Sequence, residues 1–135
     1  MSEVRKAILR EYLAAYNAGE WDDLADFCTA DYRHHTNDLA LTSEQFYRGA
    51  EWIRSGLEGF RVEIDDIVSE GEKVVVRFTG RGRHTGSLFG EAPTAAEVAV
   101  PGITLYRFED GAIAEDWECV DEHFLRRQVG AAPPD

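Results

Sequence analysis

Apolar residues recur with helical spacing at the start of the chain: Val4, Ile8, Tyr12 and Ala15 form one stripe, with Leu9, Leu13 and Tyr16 beside it. A band that broad can lie across a sheet, and Gly19 is expected to end the helix. Trp21, Leu24, Ala25 and Cys28 repeat the spacing among aspartates and predict a short second helix over 21–28. Thr42 and Gln45 have the spacing of a capping box ahead of Phe46, Ala50, Ile53 and Leu57. A third helix is therefore predicted from near Ser43, fraying at Gly56 and Gly59.

Beyond Gly59 the period shortens to two. Val62, Ile64 and the Ile67-Val68 pair alternate with acids from Arg61 to Ser69, Glu70-Gly71-Glu72 reverses the chain, and Val74-Val75-Val76 follows, which predicts a hairpin. A Gly- and Pro-containing loop spans Thr85 to Ala96, a strand is predicted near Val98 to Phe108, and Asp110-Gly111 is a tight-turn dipeptide leading into a last strand. Helices first and hairpins afterwards predict an α+β fold with the helices over one face of a curved sheet, because each element must bury its apolar side. A single domain over 1–130 is expected, with 131–135 as a flexible tail.

With 135 residues and 44% hydrophobic content, the chain can bury a core of its own. A net charge of −12 repels phosphate backbones and anionic lipid, so neither nucleic acid nor membrane is an expected partner. No apolar run has membrane-spanning length and the start MSEVRKAILREYL is charged throughout, so a cytoplasmic location is expected. Cys28 and Cys119 match neither a zinc spacing nor a disulfide framework and read as reduced thiols.

In the last strand Ala114, Asp116, Glu118, Val120 and Glu122 fall on one face, and Trp117, Cys119, Asp121 and His123 on the other. The acidic face reads as solvated. Trp and Cys favour burial, so Asp121 and His123 become polar groups pointing where apolar ones are expected. A carboxyl held against apolar walls has its charged form disfavoured, and such a group can shuttle a substrate proton. The alternative, a structural ion pair of Asp121 with His123 or an arginine, stays open on strand geometry alone.

His84 continues the face of Val74, Val76 and Phe78 unless Gly80 and Gly82 introduce a bulge, and of the adjacent His34 and His35 only one can face inward. Each is either a pocket residue or a satisfied structural donor; zinc binding is the less favoured reading, since no pair has ligand spacing. Tyr16, Trp52, Phe60, Phe89 and Trp117 could line a cavity for a flat hydrophobic molecule, or simply pack the core. The absence of a phosphate-binding loop and of a nucleophile elbow argues against phosphoryl transfer and covalent hydrolysis.

The runs VVVRFTGRGRHTGSLFG, APT and GITLYRFEDGAIAEDW, then Asp121 and LRRQVG, resemble the SnoaL-like polyketide cyclase family of the nuclear-transport-factor-two-like superfamily. EYLAAYNAGEWDDLADFCTADYRHH resembles its opening helices and first strand, and the most specific pieces are HTG-x-x-x-G and W-x-x-x-D. The resemblance implies an α+β barrel, a cone-shaped curved antiparallel sheet covered by three N-terminal helices, with frequent assembly as a homodimer or homotetramer. It implies Asp121 as general acid/base, with His84 and His35 bordering the pocket and His84 available to stabilise an oxyanion. Tyr16, Trp52, Phe60, Phe89, Trp117 and His123 would bind a small hydrophobic substrate. The implied reaction is an intramolecular aldol ring closure of a polyketide-type compound, with no metal or organic cofactor. Departures at GLEGFRVEIDD, Ala95 and Ala112 bear on the substrate more than on the fold. The superfamily also offers isomerase, dehydratase, epoxide hydrolase and cofactor-free hydroxylase chemistry in the same pocket, and a non-catalytic binding module is the remaining alternative.

Overall fold

The computed structural model describes residues 2–130; the expected tail over 131–135 lies outside them. Helix α1 (Ser2–Ala18) buries Leu9, Tyr12 and Leu13, and Gly19 ends it at φ +72, a left-handed conformation that glycine adopts without strain. Helix α2 (Trp21–Asp26) stops short of the predicted Cys28, because Cys28 already belongs to strand β1 (Cys28–Thr36). A three-residue strand β2 (Leu39–Leu41) precedes helix α3 (Ser43–Gly56). The capping box forms as predicted: Thr42 Oγ1 accepts the Gln45 amide at 3.3 Å, and Gln45 Oε1 accepts the Thr42 amide at 2.9 Å. Strand β3 (Leu57–Glu70) follows α3 with no frayed turn between them.

Strands β4 (Lys73–His84), β5 (Glu97–Glu109) and β6 (Ala112–Val120) complete the sheet, and a short helix α4 (Glu122–Gln128) follows. Asp110 and Gly111 join β5 to β6 with φ of 51 and 82, the paired positive values that a tight two-residue hairpin demands. The six strands run in the order β2-β1-β6-β5-β4-β3. All neighbours are antiparallel except β1 and β6, so the sheet is mixed rather than wholly antiparallel as expected. The early strand closes onto the last one, and everything between them serves as the long connection that a parallel pair requires.

Register organises the inner face into rows that cross the strands. One row runs His34, Asp116, Tyr106, Val74; the next runs Thr36, Glu118, Thr104, Val76; a third runs Val120, Gly102, Phe78, Ile64. Asn17 fastens α1 over this face, its amide donating to the Val62 carbonyl at 2.9 Å and accepting the Val62 amide at 2.8 Å. The bond pair supplies partners that edge strand β3 lacks on its open side.

The faces of β6 are the reverse of the expectation. Ile113, Ala114 and Asp116 are buried, while Trp117 is 41% exposed and Cys119 is exposed. The two sets of residues are those expected, but the burial tendency of Trp117 and Cys119 does not decide which set faces inward; a bulge near the start of the strand does. Phe108 pairs with Ile113 but Arg107 pairs with Glu115, so Ala114 is an extra residue in β6. One inserted residue exchanges the two faces for the rest of the strand. In β4, by contrast, pairing with β5 is unbroken from Lys73 to Arg83, and His84 keeps the inner face of Val74, Val76 and Phe78 as expected.

Candidate active site

A cavity of about 210 Å³ opens between the inner face of the sheet and helices α1, α3 and α4. This is more than tenfold the space a single water needs, so it suits an organic ligand. Its walls are largely aromatic: Tyr16, Phe46, Trp52, Phe60, Phe78 and Phe89. Among its described lining residues the ionisable acids are Glu118 and Glu122, and no Lys, Arg or His takes part.

Glu118 sits on the central row, with 28% of its side-chain surface still accessible, and it lines the cavity. Burial raises its carboxyl above the ordinary value, and the charge of Asp116 adds to this while His34 opposes it. Hydroxyls gather around it: Tyr16, Tyr106 and Thr104 line the same cavity.

Behind the cavity wall lies a second acid. Asp116, 1% exposed, accepts a hydrogen bond from the Tyr32 hydroxyl on one oxygen, and its other oxygen lies 2.5 Å from His34 Nδ1. The His34 ring stacks on Phe46 at 4.1 Å between centroids, and its Nε2 lies 3.7 Å from Glu118. Burial disfavours the imidazolium, yet the hydrogen bond and charge of Asp116, joined by Glu118, hold the His34 pKa above its ordinary value. Glu118, His34, Asp116 and Tyr32 therefore form one chain of contacts, with only Glu118 reaching the cavity. Burial, aided by Asp116, pushes the Cys28 thiol up to about 12, so it stays protonated.

Residues 6–129 match the family model of the SnoaL-like polyketide cyclases. The chain belongs to that family. Across 96% of its length it is 31% identical to the aklanonic acid methyl ester cyclase AcmA of Streptomyces galilaeus, covering 92% of that protein. The structure of AclR, a hydroxylase candidate from Streptomyces galilaeus, superimposes with a TM-score of 0.87 at 25% identity, over 96% of this chain and 87% of that one. A Catenulispora acidiphila protein with a ketosteroid isomerase-like fold matches at TM-score 0.76 and 20% identity over 93% of each chain, which shows the shared fold.

In this SnoaL-like chain the motif residues lie outside the cavity lining. Asp121 is exposed and is the N-cap of α4, its side chain accepting the Phe124 amide at 3.0 Å. An exposed cap cannot be the sequestered acid that the sequence led us to expect, and the reversal of β6 explains the displacement. His123 is exposed on α4, and Trp117 lies on the outer face of the sheet, so neither lines the cavity. His35 also turns outward, stacking on Trp117 at 5.0 Å with Nε2 2.8 Å from Glu115, while His34 takes the inward place.

His84 is fully buried but does not line the cavity. Its Nδ1 meets the Thr94 hydroxyl at 3.0 Å and the Thr94 amide at 3.3 Å, closing the loop over 85–96. Gly86 of the same motif brings the loop against α3, where a Cβ would stand 2.0 Å from the Ser55 carbonyl oxygen. Tyr16, Trp52, Phe60 and Phe89 do line the cavity. Sequence reasoning missed Glu118 and Asp116, and it left open which of His34 and His35 faces inward. The only signal of the two acids is their spacing two residues apart, and alternating acids read as a solvated face unless their partners on other strands are known.

Proposed function

We propose that the cavity catalyses an intramolecular aldol ring closure with Glu118 as the general acid/base. The Glu118 carboxylate removes a proton from carbon next to a carbonyl; the enolate carbon bonds to a second carbonyl carbon of the same molecule. The alkoxide so formed takes the proton back from Glu118, and atoms balance with no other reactant. Burial makes this carboxyl a stronger base when ionised and holds the transferred proton when it is not. Glu118, the more buried of the two acids that line this aromatic cavity, carries the reading.

The lining supports a neutral substrate. Two carboxyls and no cation meet the ligand among the described lining residues, so a free acid would bring a third negative charge without a partner. An ester masks that charge, as it does in the methyl ester on which the similar cyclase AcmA acts by name. A polyketide-type ester with flat, partly aromatic rings fits these walls.

The test is Glu118→Gln assayed on a poly-β-ketone ester. Turnover should fall by about 10²–10⁴-fold with KM little changed, as for loss of one positioned base. In the parent protein kcat/KM should rise with pH through an apparent pKa above the ordinary glutamate range, because the base must be ionised and burial holds its proton. Undiminished ring closure by the glutamine variant removes Glu118 from the mechanism.

A further inference from the structure

We infer that the Thr104 hydroxyl is the donor that stabilises the oxyanion formed when Glu118 takes the substrate's proton; this rests on the acid/base reading of Glu118. Thr104 is 1% exposed and lines the same cavity. Its hydroxyl has no hydrogen-bond partner among the described residues. The Tyr106 phenol lies near enough to be affected by it but does not meet hydrogen-bond geometry.

A buried hydroxyl left unpaired destabilises a fold, and a valine of nearly the same shape would fill the position without that cost. Its other strand neighbour on the row, Val76, is apolar and offers nothing to bond. The register neighbours of the hydroxyl thus leave it without a hydrogen-bond partner. Placement gives it a use: Thr104 is the direct register partner of Glu118, so donor and base stand side by side on adjacent strands, facing one cavity. A hydroxyl hydrogen rotates freely about its C–O bond and can turn to a carbonyl oxygen whose neighbouring carbon is being deprotonated. Such a donor acts most strongly where charge develops away from water.

Thr104→Val and Thr104→Ser separate hydroxyl from shape. On a poly-β-ketone ester the valine variant should lose about 10²–10³-fold in kcat with KM little changed, and the serine variant should retain most of the rate. A readout independent of turnover is the absorbance of bound 4-nitrophenol, whose anion mimics the enolate: its apparent pKa in the cavity should be higher in Thr104→Val than in the parent. Folding is checked by thermal unfolding, where the valine variant should be at least as stable. Wild-type kcat together with unchanged nitrophenol ionisation in Thr104→Val overturns the assignment. If Glu118→Gln is inactive while Thr104→Val is not, the donor falls and the base stands; if Glu118→Gln turns over normally, the base falls and the nitrophenol shift alone decides whether Thr104 donates.

Discussion

The two faces of strand β6 reverse the usual partition of residues. Inward stand Asp116 and Glu118, enclosed by tyrosines, phenylalanine and valine; outward stand Trp117 and Cys119. The outer face continues as an apolar row in register across five strands, Val68, Val75, Leu105, Trp117 and His35, with Val68 55% and Trp117 41% exposed. An acid is kept in a core only where partners or function hold it there, and a tryptophan is left outside only where something covers it or its ring has a stacking partner. The inner face has its hydrogen bonds and cavity; the outer has the His35 stack and an open apolar row.

The sharpest way to break the inner face is to remove its deepest charge. Asp116→Ala leaves His34 Nδ1 and the Tyr32 hydroxyl without their shared partner, and breaking a buried pair in this way costs about 3–5 kcal/mol. Chemical denaturation should show the loss. The contact also sets a pH dependence: because His34 has a raised folded pKa, its stabilisation is complete below its unfolded value and is lost as pH climbs through the folded one. The stability gap between parent and Asp116→Ala should therefore narrow on the alkaline side. A gap that widens there would show that His34 binds its proton more weakly in the fold than outside it.

The outer face is probed by charge. The family resemblance leads us to expect a homodimer or homotetramer, and the apolar row is the surface a second copy would cover. Trp117→Arg should weaken such assembly by about 2 kcal/mol, as for loss of one interface anchor, with ring closure inside each cone retained. Light scattering after size exclusion reads the mass directly. A parent protein of single-chain mass at every concentration would leave the row uncovered and sink this expectation.

Most of the elements were legible because local rules fix them. The helical stripe of Leu9, Tyr12 and Leu13, the Thr42 capping box and the Asp110-Gly111 turn all did what their chemistry demands. The alternation of β6 was legible, but its inward side was not: Trp117 and Cys119 favour burial by type, whereas the side that faces the core is set by one bulged residue. Had the tight turn propagated without interruption, Phe108 opposite Ile113 would have placed Thr104 opposite Trp117; the extra Ala114 puts Thr104 opposite Glu118 instead. Nothing in the alternation of residue types marks that insertion. Helix α4 was missed for a related reason: a strand pattern carried on through Asp121 and His123 hides a helix of seven residues.

Asp121 offers the smallest and most discriminating comparison with Glu118, because the two acids lie three positions apart and do different work. The Asp121 side chain satisfies a free amide at the start of α4, and that helix contributes Leu125 to the wall of the cavity. Replacing an N-cap by alanine costs about 1 kcal/mol, whereas asparagine caps as well as aspartate does. Asp121→Ala should thus lower stability by that amount and turnover only modestly, and Asp121→Asn should resemble the parent in both. Measured beside Glu118→Gln, the pair tells a cap from a base: a large loss of kcat in Asp121→Asn, with its melting curve unchanged, would return the chemistry to Asp121.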